Sequence, residues 1–113
     1  MKRIGKNRYS VKNSDALKTI IDPATNTEGF LLRTACLTFT NTAHSSLMIK
    51  KGTAPTQSTD IEADHILMGY GNGGQSILPE AVEVPADYGL YYDTTQSDGA
   101  TMVSLTWDFK QDL

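Results

Sequence analysis

Apolar and polar residues alternate with period two through short runs of this chain, and the runs are separated by clusters of Gly, Pro, Asn, Asp and Ser, the pattern of β-strands joined by turns. Residues 101–110 carry it most cleanly. Val103, Leu105, Trp107 and Phe109 fall on one face and Met102, Ser104, Thr106, Asp108 and Lys110 on the other, so this strand should line the core. Burial of Trp107 and Phe109 together is worth several kcal/mol on transfer scales. Residues 29–40 form the longest run, with Leu31, Ala35, Leu37 and Phe39 on one face and Phe30, Leu32, Thr34, Cys36 and Thr38 on the other. Both faces are partly apolar, which predicts a central strand covered by the opposing sheet on one side and by a neighbour or partner chain on the other.

Shorter strands are predicted around Leu17, Thr19 and Ile21, ended by Asp22-Pro23, and at 46–51, 65–70 and 88–92. Residues 77–84 alternate through Leu78, Val82 and Val84, but Pro79 lacks an amide donor and Pro85 closes the run, so this is an edge strand. Turns fall at 41–44 and at Gly71-Asn72-Gly73-Gly74, and polar loops at 52–64 and 93–99. The fold these elements predict is all-β: an antiparallel β-sandwich, jelly-roll-like, with an extended basic N-terminal arm. Fourteen threonines suit such pleated surfaces.

With 113 residues, 39% hydrophobic and 20% charged, the chain has the size and composition of one folded domain and not of a charge-driven disordered segment. Residues 1–18 read as the arm and 19–113 as the sandwich. No long uncharged apolar run predicts a membrane span, and no apolar segment of secretory type follows the basic start. The single cysteine, Cys36, has no internal partner for a disulfide, in keeping with assembly in a cytoplasm.

The formal charge of −3 conceals a segregation, with about +5 on residues 1–18 and −8 on the remainder. A cationic leader on an acidic body reads as a nucleic-acid tail or as an electrostatic latch onto an acidic protein surface, and the latch, with Lys2, Arg3, Lys6 and Arg8 as the docking residues, is the expectation taken forward. Tyr9 is its only aromatic, so it offers no stacking platform of the kind that binds single-stranded nucleic acid.

Candidate chemistry is sparse. His44 and His65 are the only histidines, and neither sits in a nucleophile motif; Ser45 beside His44 is an adjacent pair in a turn. Asp60, Glu62 and Asp64 project to one side of an extended chain, but without the spacing of a calcium loop they read as a solvated acidic loop. The glycine cluster at 71–74 lacks the Lys-Ser/Thr of a phosphate loop. No catalytic residue, metal site or cofactor is predicted. Tyr88, Tyr91, Tyr92 and Trp107 could stack on a glycan if exposed, and serve as core and interface if not.

Two segments, Ile21-Asp22-Pro23-Ala24-Thr25-Asn26-Thr27-Glu28-Gly29-Phe30-Leu31-Leu32-Arg33-Thr34-Ala35 and Val84-Pro85-Ala86-Asp87-Tyr88-Gly89-Leu90-Tyr91-Tyr92, resemble small virion proteins of tailed bacteriophages. The resemblance spans about residues 20–110, and at Asp87 the chain departs from a glycine in the pattern. It implies a non-enzymatic structural subunit of the virion, assembled in the host cytoplasm. Capsid decoration or cement ranks first, and a tail or neck accessory or fibre module that binds a receptor or glycan is the alternative. The partners implied are other virion proteins (capsid, neck or tail) and further copies in a homo-oligomer. The copy interface is expected on the second face of residues 30–40.

Overall fold

The computed structural model describes residues 3–12, 17–40, 43–55, 65–71, 74–95 and 101–113. Its strands are β1 (Asn7–Lys12), β2 (Lys18–Ile21), β3 (Phe30–Phe39), β4 (His44–Lys51), β5 (His65–Gly71), β6 (Gly74–Ile77), β7 (Val82–Val84), β8 (Tyr88–Thr95) and β9 (Thr101–Phe109). Among the described residues the only helical pieces are two 3-10 turns, at Pro23–Thr25 and Lys110–Asp112. One sheet runs β1-β9-β3-β6, with β7 also on β3; the other runs β2-β8-β4-β5, and every pairing is antiparallel.

Leaving aside the three-residue β7, the pairs β1·β9, β2·β8, β3·β6 and β4·β5 nest inside one another. That is one long hairpin rolled so that its strands alternate between two sheets, the jelly roll. The two inner faces meet in a core that includes Phe30, Leu32, Leu37, Leu47, Leu90, Tyr92, Val103, Leu105 and Trp107. Trp107 and Phe109 meet edge to face, 6.3 Å between centroids at 88°.

Strand β3 is central, with β9 on one side and β6 and β7 on the other, but its faces differ from those predicted. A bulge against β9 between Leu32 and Thr34 inserts Arg33 and reverses the alternation. Phe30 and Leu32 before it, and Ala35, Leu37 and Phe39 after it, all reach the core. Most of the apolar character of the two predicted faces therefore belongs to a single buried face. The opposite face carries Leu31, Thr34, Cys36 and Thr38, all half-buried, and no aromatic side chain.

The edge strand predicted at 77–84 is two strands on one edge of β3. β6 ends at Ile77, β7 begins at Val82, and Leu78 between them still donates its N–H to the Ala35 carbonyl at 2.9 Å. β8 runs on to Thr95 through residues predicted as loop. Asp93 and Thr94 are buried there, and Thr94 Oγ1 donates to the His44 carbonyl at 2.8 Å. Of the turns predicted at 41–44 and 71–74, His44, Gly71 and Gly74 belong instead to β4, β5 and β6, drawn in by their ladder partners, and the rest of these turns and of the loops at 52–64 and 93–99 lies partly outside the described residues.

Candidate functional site

The basic leader is extended, and its residues 7–12 form β1, the edge strand beside β9. Three contacts fasten its start. Gly5 N–H donates to Thr106 Oγ1 at 3.0 Å, Lys6 N–H to Asp108 Oδ1 at 2.8 Å, and Asn7 Nδ2 to the Trp107 carbonyl at 3.3 Å. Only glycine fits at position 5, where a Cβ would stand 2.6 Å from the Trp107 backbone. Within β1, Tyr9 and Val11 pack on the core while Arg8, Ser10 and Lys12 are exposed. Burial of Tyr9, with Tyr92 close by, pushes its phenol above the usual value.

Of the predicted docking residues, Arg3, Lys6 and Arg8 are exposed, and Lys2 lies outside the described residues. Lys6, Arg8, Ser10, Ser104 and Thr106 line an open trough of about 820 Å³ along β1 and β9. From Gly5 onward the backbone of the leader is thus held by its own chain, and Lys6 and Arg8 stand exposed in a row along that edge.

That row is anchored on Asp108, a buried carboxylate on the outward side of β9. The Lys6 N–H bond holds its carboxyl below the ordinary aspartate value against the opposing effect of burial, and Arg33 helps. Arg33 Nε stands 3.0 Å from Asp108 Oδ2, so the residue inserted by the bulge is the one that pairs the buried charge. The Thr34 and Thr106 hydroxyls meet at 2.6 Å in the next row.

Residues 21–35 and 84–92 meet at Asn26, which is fully buried. Its Nδ2 donates to the Pro85 and Tyr88 carbonyls, each at 2.9 Å, and its Oδ1 accepts from Gly29 N–H at 2.8 Å. Its own carbonyl accepts from Asp87 N–H at 2.9 Å. Asp87 has φ of 72°, the left-handed conformation in which glycine is at ease. Gly89 makes room beside it: any side chain there would overlap the Tyr91 hydroxyl and Pro23. These motifs form a structural clasp that fixes one end of the sandwich.

Among the described residues, the two candidate histidines lie apart from one another. His44 pairs with Gly71 and His65 with Ile49, at opposite ends of the β4–β5 ladder. Ser45 Oγ faces the interior, 3.1 Å from Tyr92 Oη and 3.4 Å from Thr94 Oγ1. Asp60, Glu62 and Asp64 lie outside the described residues, as do Asn72 and Gly73, and among the described residues no cluster of three His, Cys, Asp or Glu side chains forms a metal site. Tyr91 and Tyr92 are fully buried, Trp107 nearly so and Tyr88 half-buried, so the four aromatics form no exposed stacking platform. Burial, with Asp22 adding, raises the Tyr91 phenol. No helix among the described residues is long and apolar enough to cross a membrane. The copy interface predicted on the second face of residues 30–40 loses Phe30 and Leu32 to the core; the large apolar exposure left on that outer face is Ile77 and Met102.

A scan against protein-family models finds no match, and neither does a search of curated proteins. Among solved structures, the chain is similar to RmlC from Streptococcus suis in complex with dTDP-D-xylose, at 10% identity and a TM-score of 0.37, over 88% of this chain and 43% of that one. It is similar to the structure of infectious bursal disease virus Gx strain at 12% identity and a TM-score of 0.28, over 94% of this chain and 31% of that one. The chain spans less than half the length of either protein, and likenesses at these scores carry no functional argument.

Proposed function

We propose that the chain is a non-enzymatic structural subunit of a bacteriophage virion, a capsid decoration or cement protein that works in several copies. The observation that carries this reading is the clamped basic edge. A leader whose backbone is tied to β9 and Asp108 presents Arg3, Lys6 and Arg8 without the entropy cost of ordering a free arm on binding. The resemblance of residues 21–35 and 84–92 to small phage virion proteins supports the same role, and those residues build the clasp at Asn26. Shells display repeated surfaces, and weak charge contacts gain strength there when copies are linked.

An antibody against the chain, applied to particles purified from lysates of cells that carry its gene, should decorate the capsid shell at many points in electron micrographs. Label confined to the tail or neck would replace decoration by the accessory role, and unlabelled particles would remove the virion reading altogether. Changing Lys2, Arg3, Lys6 and Arg8 together to serine should strip the chain from particles and flatten the salt dependence of attachment.

A further inference from the structure

We propose that the five-stranded sheet joins edge to edge with a second copy of the chain, the cationic β1 edge of one copy meeting the acidic β6–β7 edge of the next. Among the described residues β1 pairs only with β9, and β6 and β7 pair only with β3, so each edge has one unpaired side. The polarity of the strands fits. Across the sheet β1, β9, β3 and the β6–β7 rank alternate in direction, and an even number of ranks makes β1 of a side-by-side copy antiparallel to β6 and β7.

The charges match row by row. Lys6 abuts Asp108, Asp108 pairs with Leu31 and Leu31 with Glu83, so Lys6 and Glu83 close the two ends of one row. Ser10, Ser104, Cys36 and Ile77 form another. Arg8 lies between these rows on β1, and Glu80 lies between them in the link from β6 to β7. Lys6, Arg8, Glu80 and Glu83 are all exposed. Glu83 pairs with Lys110 at 2.7 Å, yet its side chain keeps 64% of its exposure and can take a second cation. Two β1 edges brought together would repel, as would two acidic edges, so the charges select the unlike pairing and a head-to-tail contact that closes into a ring or continues. Ile77, 61% exposed at the acidic edge, gains cover in the same joint.

The inference deepens the proposed structural role by assigning Lys6 and Arg8 to the next copy, which leaves Lys2 and Arg3 of the four docking cations for the shell, and rests on that role only in taking several copies to work together. It is tested by native mass measurement of the full chain at low salt, with two charge-reversed forms, Lys6→Glu with Arg8→Glu and Glu80→Lys with Glu83→Lys. Wild type should appear as multiples of 12.3 kDa. Each reversed form alone should be monomeric, since its two edges then carry like charge. An equimolar mixture should recover assemblies of alternating composition, which requires both forms to be folded. Raising salt from about 0.05 to about 0.5 M should dissociate wild type. A monomeric wild type, reversed forms that assemble unaided, or folded forms that stay apart when mixed would overturn the proposal. Should a reversed form fail to fold, the milder Arg8→Ser and Glu80→Ser must each weaken assembly at least tenfold, and unchanged assembly overturns it. Particle labelling is independent of all these outcomes, so a monomeric chain that still decorates capsids would refute the joint and leave the structural role standing.

Discussion

Asp87 holds a left-handed backbone, φ 72°, between two backbone bonds, its N–H to the Asn26 carbonyl and its carbonyl from Gly52 N–H. Both bonds survive removal of the side chain. Asp87→Gly should therefore raise stability, by up to about 1 kcal/mol, and Asp87→Val should lower it by about 1–2 kcal/mol, because a β-branched residue resists positive φ. Urea titration of the two variants checks the sign of each. Asp108 makes a different prediction. Its carboxyl is held below the ordinary aspartate value in the folded chain, chiefly through Lys6 N–H, so the charged form stabilises the fold. That stability is present above the unfolded aspartate value and disappears as pH falls through the lower folded value. Asp108→Asn should flatten the acid limb of the stability curve below about pH 4, measured by thermal unfolding against pH. An unchanged limb would mean that other carboxylates govern acid unfolding.

At the level of the strand, the bulge decides which side chains the core receives. Leu31 and Leu37 share a face if β3 is regular, but the insertion at Arg33 places Leu37 wholly inside and leaves Leu31 half-buried on the other side. Leu37→Ala should cost about 2–5 kcal/mol and Leu31→Ala less than about 1 kcal/mol, a contrast that denaturant unfolding resolves. The sequence made the strands legible wherever period two was unbroken, as in β9, and made the sandwich legible through their number and spacing. A bulge hides because nothing in residues 30–39 separates one inserted residue from two apolar faces; only pairing with β9 reveals it. β1 was masked by its charge, although Tyr9 and Val11 alternate with Arg8, Ser10 and Lys12 as an edge strand requires. The end of β8 looked like loop because its burial rests on hydroxyl hydrogen bonds among Ser45, Tyr92 and Thr94 rather than on apolar side chains. The docking cations were readable as a cluster. Their attachment was not, since Gly5, Lys6 and Asn7 find their partners about a hundred residues away in β9.

Across the whole molecule, the nested pairing ties the first strand to the last, so the leader closes the five-stranded sheet as well as presenting charge. Without β1, the nine-residue β9 would become an edge, with Val103, Leu105 and Trp107 beneath it uncovered where Tyr9 and Val11 now pack. Long strands with bare edges invite indiscriminate pairing between chains, and the cations at Arg8 and Lys12 that restrict this edge to an acidic partner would be gone with the strand. Deleting residues 1–12 should therefore do more than weaken binding to a partner. It should lower the melting temperature and convert the chain to heterogeneous aggregates, followed by light scattering and by loss of the near-ultraviolet signal of Trp107. Deleting residues 1–3 alone keeps Gly5 and Lys6 on Thr106 and Asp108, and should leave melting within a few degrees of wild type. Equal stability of both truncated forms would show that the leader carries charge without closing the sheet, and would shift the whole of its role to partner contact.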